Sequence, residues 1–142
     1  TQDQADVFAL PHGRYAIAWR NAGDVYFQRF SAGDVPVAGD QDNPVHENRD
    51  GEQGAPAVGG AGQFFVVAFE SQTELRARLL GADAGFLPNA VSGQNDDFVV
   101  SAPSSVSPKR PAVVAGSYLV FGWEDQGGSA PGMYVRRFPI PG

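Results

Sequence analysis

The chain has 142 residues, the size of one domain, and its 42% hydrophobic content excludes wholesale disorder, while 18 Gly and 11 Pro favour short strands over long helices. Sixteen acidic against ten basic side chains give a net charge of −6, which repels phosphate backbones and anionic membranes and sets nucleic acid aside as a partner. The absence of cysteine excludes disulfides, thiolate zinc sites and thiol nucleophiles.

In chain order, the first predicted strands lie over 7–10, 15–19 and 25–30, with turn residues between them. A weaker fourth element is expected over 45–48. The same series returns at 56–58, 64–69, 75–80 and 98–101, and again at 111–114, 118–123 and 133–138, where the chain ends without a fourth element. The closing aromatics Trp19, Phe69 and Trp123 are 50 and then 54 residues apart, a period that marks propellers and related arrays. The repeats are bounded at about 1–52, 53–107 and 108–142, the third truncated, with a longer hairpin loop over 125–132. No 3.6-residue amphipathic pattern runs through any segment, so no substantial helix is expected. The longest apolar run, 64–69, is strand-sized and falls well below the ~18 residues of a membrane helix, so no membrane insertion is expected. The chain opens at Thr1 with neither an initiator Met nor a signal core, as a processed or excised segment would.

Three sets of residues carry a further reading: Gln53-Gly54-Ala55-Pro56-Ala57-Val58, Tyr118-Leu119-Val120-Phe121-Gly122-Trp123-Glu124, and residues 26–36 from Tyr26 to Pro36. Together they resemble the repeats of large secreted and surface bacterial proteins built as β-propeller blades. The first copy departs from that pattern with Val7 in place of the proline, and the second has Phe69 in place of Trp. The resemblance implies an all-β fold of three four-stranded blade-like repeats, β-propeller type, in an extracellular or cell-surface bacterial protein. A β-trefoil or another threefold β-fold stays open as the alternative. Three blades are too few for a ring, which ordinarily takes 4–8, so an open arc leaves sheet faces to be covered, by a homo-oligomer or a longer array.

Candidate chemistry is sparse. His12 and His46 have no ligand or catalytic partner at a recognisable spacing and read as exposed turn or edge residues. The acidic stretches 40–43 and 95–97 suggest calcium, but Pro44 follows where an EF-type loop would continue and no glycine comes next, so solvated turns account for them. Neither a phosphate loop, a nucleophile elbow nor a zinc-protease motif occurs, so no catalytic residue, metal or cofactor is assigned. One set fits a glycan: Trp19 with Arg29, Glu70 with Arg78, and Trp123 with Glu124 and Arg136. An indole face stacks on a sugar ring while carboxylate and guanidinium bond its hydroxyls, although the same residues also suit packing and cross-strand pairing. The expected function is a non-enzymatic binding module acting as an oligomer, with a glycan as candidate ligand. The alternative is a structural subunit completed head to tail by β-strand addition, residues 1–10 being the donor.

Overall fold

A computed structural model describes residues 2–47, 51–102, 105–127 and 132–140. Among the described residues, eleven strands form three separate antiparallel sheets. The first sheet joins β1 (Gln2–Ala9), β2 (Tyr15–Asn21), β3 (Asp24–Ser31) and β4 (Val35–Pro36) in that order. The second repeats the meander with β5 (Gln53–Ala61), β6 (Phe64–Ser71), β7 (Glu74–Gly81) and β8 (Phe98–Val99). In the third, β9 (Pro108–Ala115), β10 (Tyr118–Asp125) and β11 (Gly132–Pro139) stand without a fourth strand among the described residues. The only helical turns described are two short 3-10 segments, Pro11–Gly13 and Asp40–Asp42.

The all-β expectation holds, in three small antiparallel sheets. Among the described residues no sheet closes on itself and no strand of one sheet pairs with a strand of another, as a trefoil barrel would require. Two expectations are corrected. Residues 45–47 form no strand, because Val45 makes a single ladder-like bond to the Val25 carbonyl (2.8 Å) and the first sheet's edge is taken by Val35–Pro36 instead; Asn48 lies outside the described residues. His46 is buried rather than an exposed edge residue: its Nε2 accepts the Val25 N–H at 3.1 Å and its ring packs on Phe69. The longer hairpin loop expected over 125–132 lies largely outside the described residues.

The sheets stack in chain order, with the second between the other two. Strand β6 shows how sequence sets this up: successive side chains of a strand point to opposite faces, so a run of six apolar residues can serve two neighbours at once. Phe65, Val67 and Phe69 enter one buried cluster with Ala16, Ala18, Val25 and Phe27 of the first sheet. Phe64, Val66 and Ala68 enter the other with Leu119, Phe121 and Trp123 of the third. The first strands of the sheets approach one another closely; a Cβ added at Gly59 would come within 3.2 Å of the Val113 carbonyl oxygen, so only glycine fits there without a shift. No described helix is long and apolar enough to cross a membrane.

Candidate functional site

Of the seven residues singled out for a glycan, the structure gathers only Glu70 and Glu124, which meet around Arg110: its backbone N–H donates to Glu70 at 2.8 Å and its guanidinium to Glu124 at 2.8 Å. Trp123 lies between the second and third sheets, 1% exposed and stacked on Tyr134 (centroids 6.3 Å), so its ring face is already occupied. Trp19 holds the same position on the first sheet, stacked on Tyr26 at 6.3 Å, but there the indole is half-buried with no sheet beyond it.

The arginines serve the architecture. Arg78 donates to the Val45 and Asn95 carbonyls (3.0 and 2.7 Å) and lies 3.5 Å above the Phe86 ring; burial lowers its pKa, with Glu47 opposing the shift. Arg136, at the equivalent position, donates to the Val100 and Ser101 carbonyls (3.2 and 3.3 Å). Arg136 thus clasps the end of the preceding repeat, and Arg78 ties the end of the preceding repeat at Val45 to a loop of its own at Asn95. Arg29 does not belong with them. Cross-strand pairing puts Gln28 opposite Ile17, as Arg78 is opposite Val67 and Arg136 opposite Phe121, so Gln28 is the true counterpart. Offset by one residue, Arg29 points to the other face of its sheet. It is clamped there by Asp40 (2.9 and 2.7 Å) and donates to the Gly81 and Gly85 carbonyls of the second repeat.

Two recurring devices escaped sequence reasoning. Each first strand carries a β-bulge, and the residues in it, Gln4, Ala55 and Arg110, all take left-handed backbone angles (φ of 54°, 46° and 55°). The bulge amide of one repeat is satisfied by a side chain of the repeat before it: Ala55 N–H donates to the Gln4 side-chain oxygen at 2.7 Å, and Arg110 N–H to Glu70. No residue type announces this, since none of the three is glycine. The second device is an acceptor for the amide of the second residue of the third strand, His46 for Val25 in β3 and Ser101 for Leu75 in β7, both at 3.1 Å. His and Ser share no pattern a scan would align.

The acidic stretches are also accounted for. Asp40 holds Arg29, and Asp97 accepts from Arg76 (2.7 Å) and from the Glu47 N–H (2.9 Å). The Asp96 carboxyl is held below its ordinary pKa by the Ser92 hydroxyl and the Asn89 amide. Among the described residues no three His, Asp or Glu side chains converge as a metal site would require. A polar cleft of about 310 Å³ opens beside Arg76 and Asp97, floored by the turn Ser71 to Glu74.

What remains are the two outer sheet faces. On the first sheet, Tyr15, Ile17 and Trp19 face away from the second sheet while the alanines between them face inward, and Tyr15 stacks on Phe30 at 4.7 Å. Val7, opposite Ile17, is 60% exposed. On the third sheet, pairing puts Ala112, Val114, Val120, Gly122, Met133 and Val135 on the side away from the second, edged by Lys109, Glu124 and Arg137, with Met133 and Val135 more than 70% exposed. The total accessible area, 7135 Å², matches the roughly 7,000 Å² of a compact monomer of this mass, so these faces stand out for their composition. An antiparallel sheet with one wet face ordinarily alternates apolar-in with polar-out, and here large apolar residues point outward. No known family model matches the chain, and no curated protein or solved structure matches it.

Proposed function

We propose that this chain is a non-enzymatic assembly module of β-propeller type, a three-sheet segment that takes further sheets on its two outer faces and works outside the bacterial cell or on its surface. The observation that carries this reading is the apolar outer face of the first sheet, Tyr15, Ile17 and Trp19, which repeats the positions of Phe65, Val67 and Phe69 and lacks the covering that those three have. The extracellular setting follows from the resemblance of the repeats alone. Covering such a face releases water from apolar surface at about 25 cal/mol per Å², the same drive that joins the sheets within the chain.

A second reading is favoured by one feature of that face. The half-buried indole of Trp19, stacked on Tyr26, offers a flat aromatic platform of the kind sugar rings stack on. The two readings compete for one surface. Light scattering across a dilution series separates them: association of the 15.0 kDa chain, abolished by Ile17→Glu with the circular dichroism melt unchanged, is the result expected of an assembly module. A wild-type chain that stays at 15.0 kDa at every concentration overturns it and leaves the glycan platform, which retention on immobilised glycans, lost on Trp19→Ala, would support.

A further inference from the structure

We propose that the partner is a second copy of this chain, bound head to tail so that the first sheet of each copy packs on the third sheet of the other and two copies close a ring of six sheets. This rests on the assembly reading and adds the partner, its orientation and the register.

The two joints inside the chain define what a joint requires. At each, a face of large residues meets a face of smaller ones: Phe65, Val67 and Phe69 share a cluster with Ala16 and Ala18, and Leu119, Phe121 and Trp123 share one with Val66 and Ala68. The uncovered large face is Tyr15, Ile17 and Trp19. The uncovered small face is Val120 and Gly122, which pairing places in line with Val66 and Ala68. One chain therefore carries one half of a joint at each end, and the halves are complementary to each other, not to themselves. A side chain at position 122 has room, since an added Cβ would meet only the Tyr134 carbonyl oxygen, at 3.7 Å.

The polar contact of the joint between the second and third sheets fits the new joint with the same phase. Within the chain, Glu70 accepts the bulge amide of Arg110 from the following sheet. Glu124 is the residue in line with Glu70, and Gln4, with its φ of 54°, is in line with Arg110. The register thus puts the Glu124 carboxylate of one copy against the Gln4 N–H of the other. At the position of Arg78 and Arg136 the first sheet has Gln28, whose amide donates to the Arg29 and Val37 carbonyls of its own sheet. Ring size selects the number of copies. Rings take 4–8 sheets, and with the three sheets of the described residues in each copy only two copies of this chain fall in that range. A head-to-tail contact that failed to close would instead give a fibre.

The chain has no cysteine, so engineered thiols give a clean test. The contact of Gly59 with Val113 inside the chain predicts that Val114 of one copy meets Val7 of the other, both now well exposed. Val7→Cys and Val114→Cys proteins, mixed and mildly oxidised, should give a covalent pair, whereas each alone should give none. Carrying both changes, one chain should give a dimer linked at both joints. Light scattering should find wild type at twice 15.0 kDa, and Gly122→Arg and Ile17→Glu should each return it to 15.0 kDa with unchanged melting. Glu124→Ala should weaken the dimer at least fivefold, and Glu124→Gln, which keeps an acceptor, less. Self-linking of Val7→Cys, or a dimer that survives either face variant, overturns the head-to-tail joint while leaving the assembly reading intact. Species that keep growing with concentration overturn the ring. Wild type that is monomeric throughout overturns both.

Discussion

The second sheet and its flanks are variants of one unit, and they differ in how many faces are covered. In β6 every residue from Phe64 to Phe69 is buried, whereas in β2 only Ala16 and Ala18 are, although the two strands pair with their neighbours in the same way. Side-chain size follows coverage. β6 is apolar on both faces; β2's large apolar residues all point outward, and its inward apolar positions are alanines. A flank of a finished monomer would invert that choice, keeping bulk for the core and polarity for water. The comparison teaches that covering in this fold is directional, with each sheet presenting a large face to the sheet before it.

The largest effect that tests this comparison is truncation at the equivalent positions Phe65 and Tyr15. Phe65→Ala should cost about 4 kcal/mol in urea denaturation, since a fully buried ring is lost from between two sheets, while Tyr15→Ala should cost under about 1 kcal/mol in the dilute chain. Equal costs would mean that the first sheet's outer face is already covered. A smaller effect is expected at the Arg29 clasp. Asp40→Ala strands a guanidinium 4% exposed and should cost about 3 kcal/mol by the same assay, while removal of Asp83, whose side chain is 70% exposed beside Arg14, should cost under about 1 kcal/mol.

The smallest effect concerns the third sheet and acid. Asp125 accepts the Ser107 N–H first, and then those of Val106 and Gly127, and these bonds hold its carboxyl below the usual 3.8. A carboxyl lowered by folding stabilises the native state above its unfolded pKa, and that contribution is lost as pH falls through the lower native value. The melting temperature should therefore drop on acidification below about pH 4, and Asp125→Asn should flatten part of that slope. An unchanged slope would show that the amides hold the turn without the charge.

Much of the fold was legible because the repeat is written in strand-length apolar runs and turn residues, and the closing aromatics Trp19, Phe69 and Trp123 do occupy one structural position. Residue type alone could not separate Arg29 from Arg78, because a one-residue offset in a strand reverses the face and only pairing fixes it. His46 misled because its burial follows from a backbone amide that needs an acceptor, a demand without a sequence signature. The glycan set failed to assemble for a related reason: arginines beside aromatics serve carbonyls of a neighbouring repeat as readily as hydroxyls of a ligand, and here Arg78 and Arg136 do the former.

The bulges in β1, β5 and β9 bear on how such a chain grows over evolutionary time. The bulge amides of β5 and β9 each find an acceptor on the unit before, so a duplication copying any stretch of one full period carries a donor and an acceptor together, wherever its breakpoints fall. Arrays of this kind can lengthen or shorten by whole periods while every junction keeps its bonding. A deletion out of phase would leave a left-handed residue with an unanswered N–H, and selection would remove it at the level of folding, before any partner was tested.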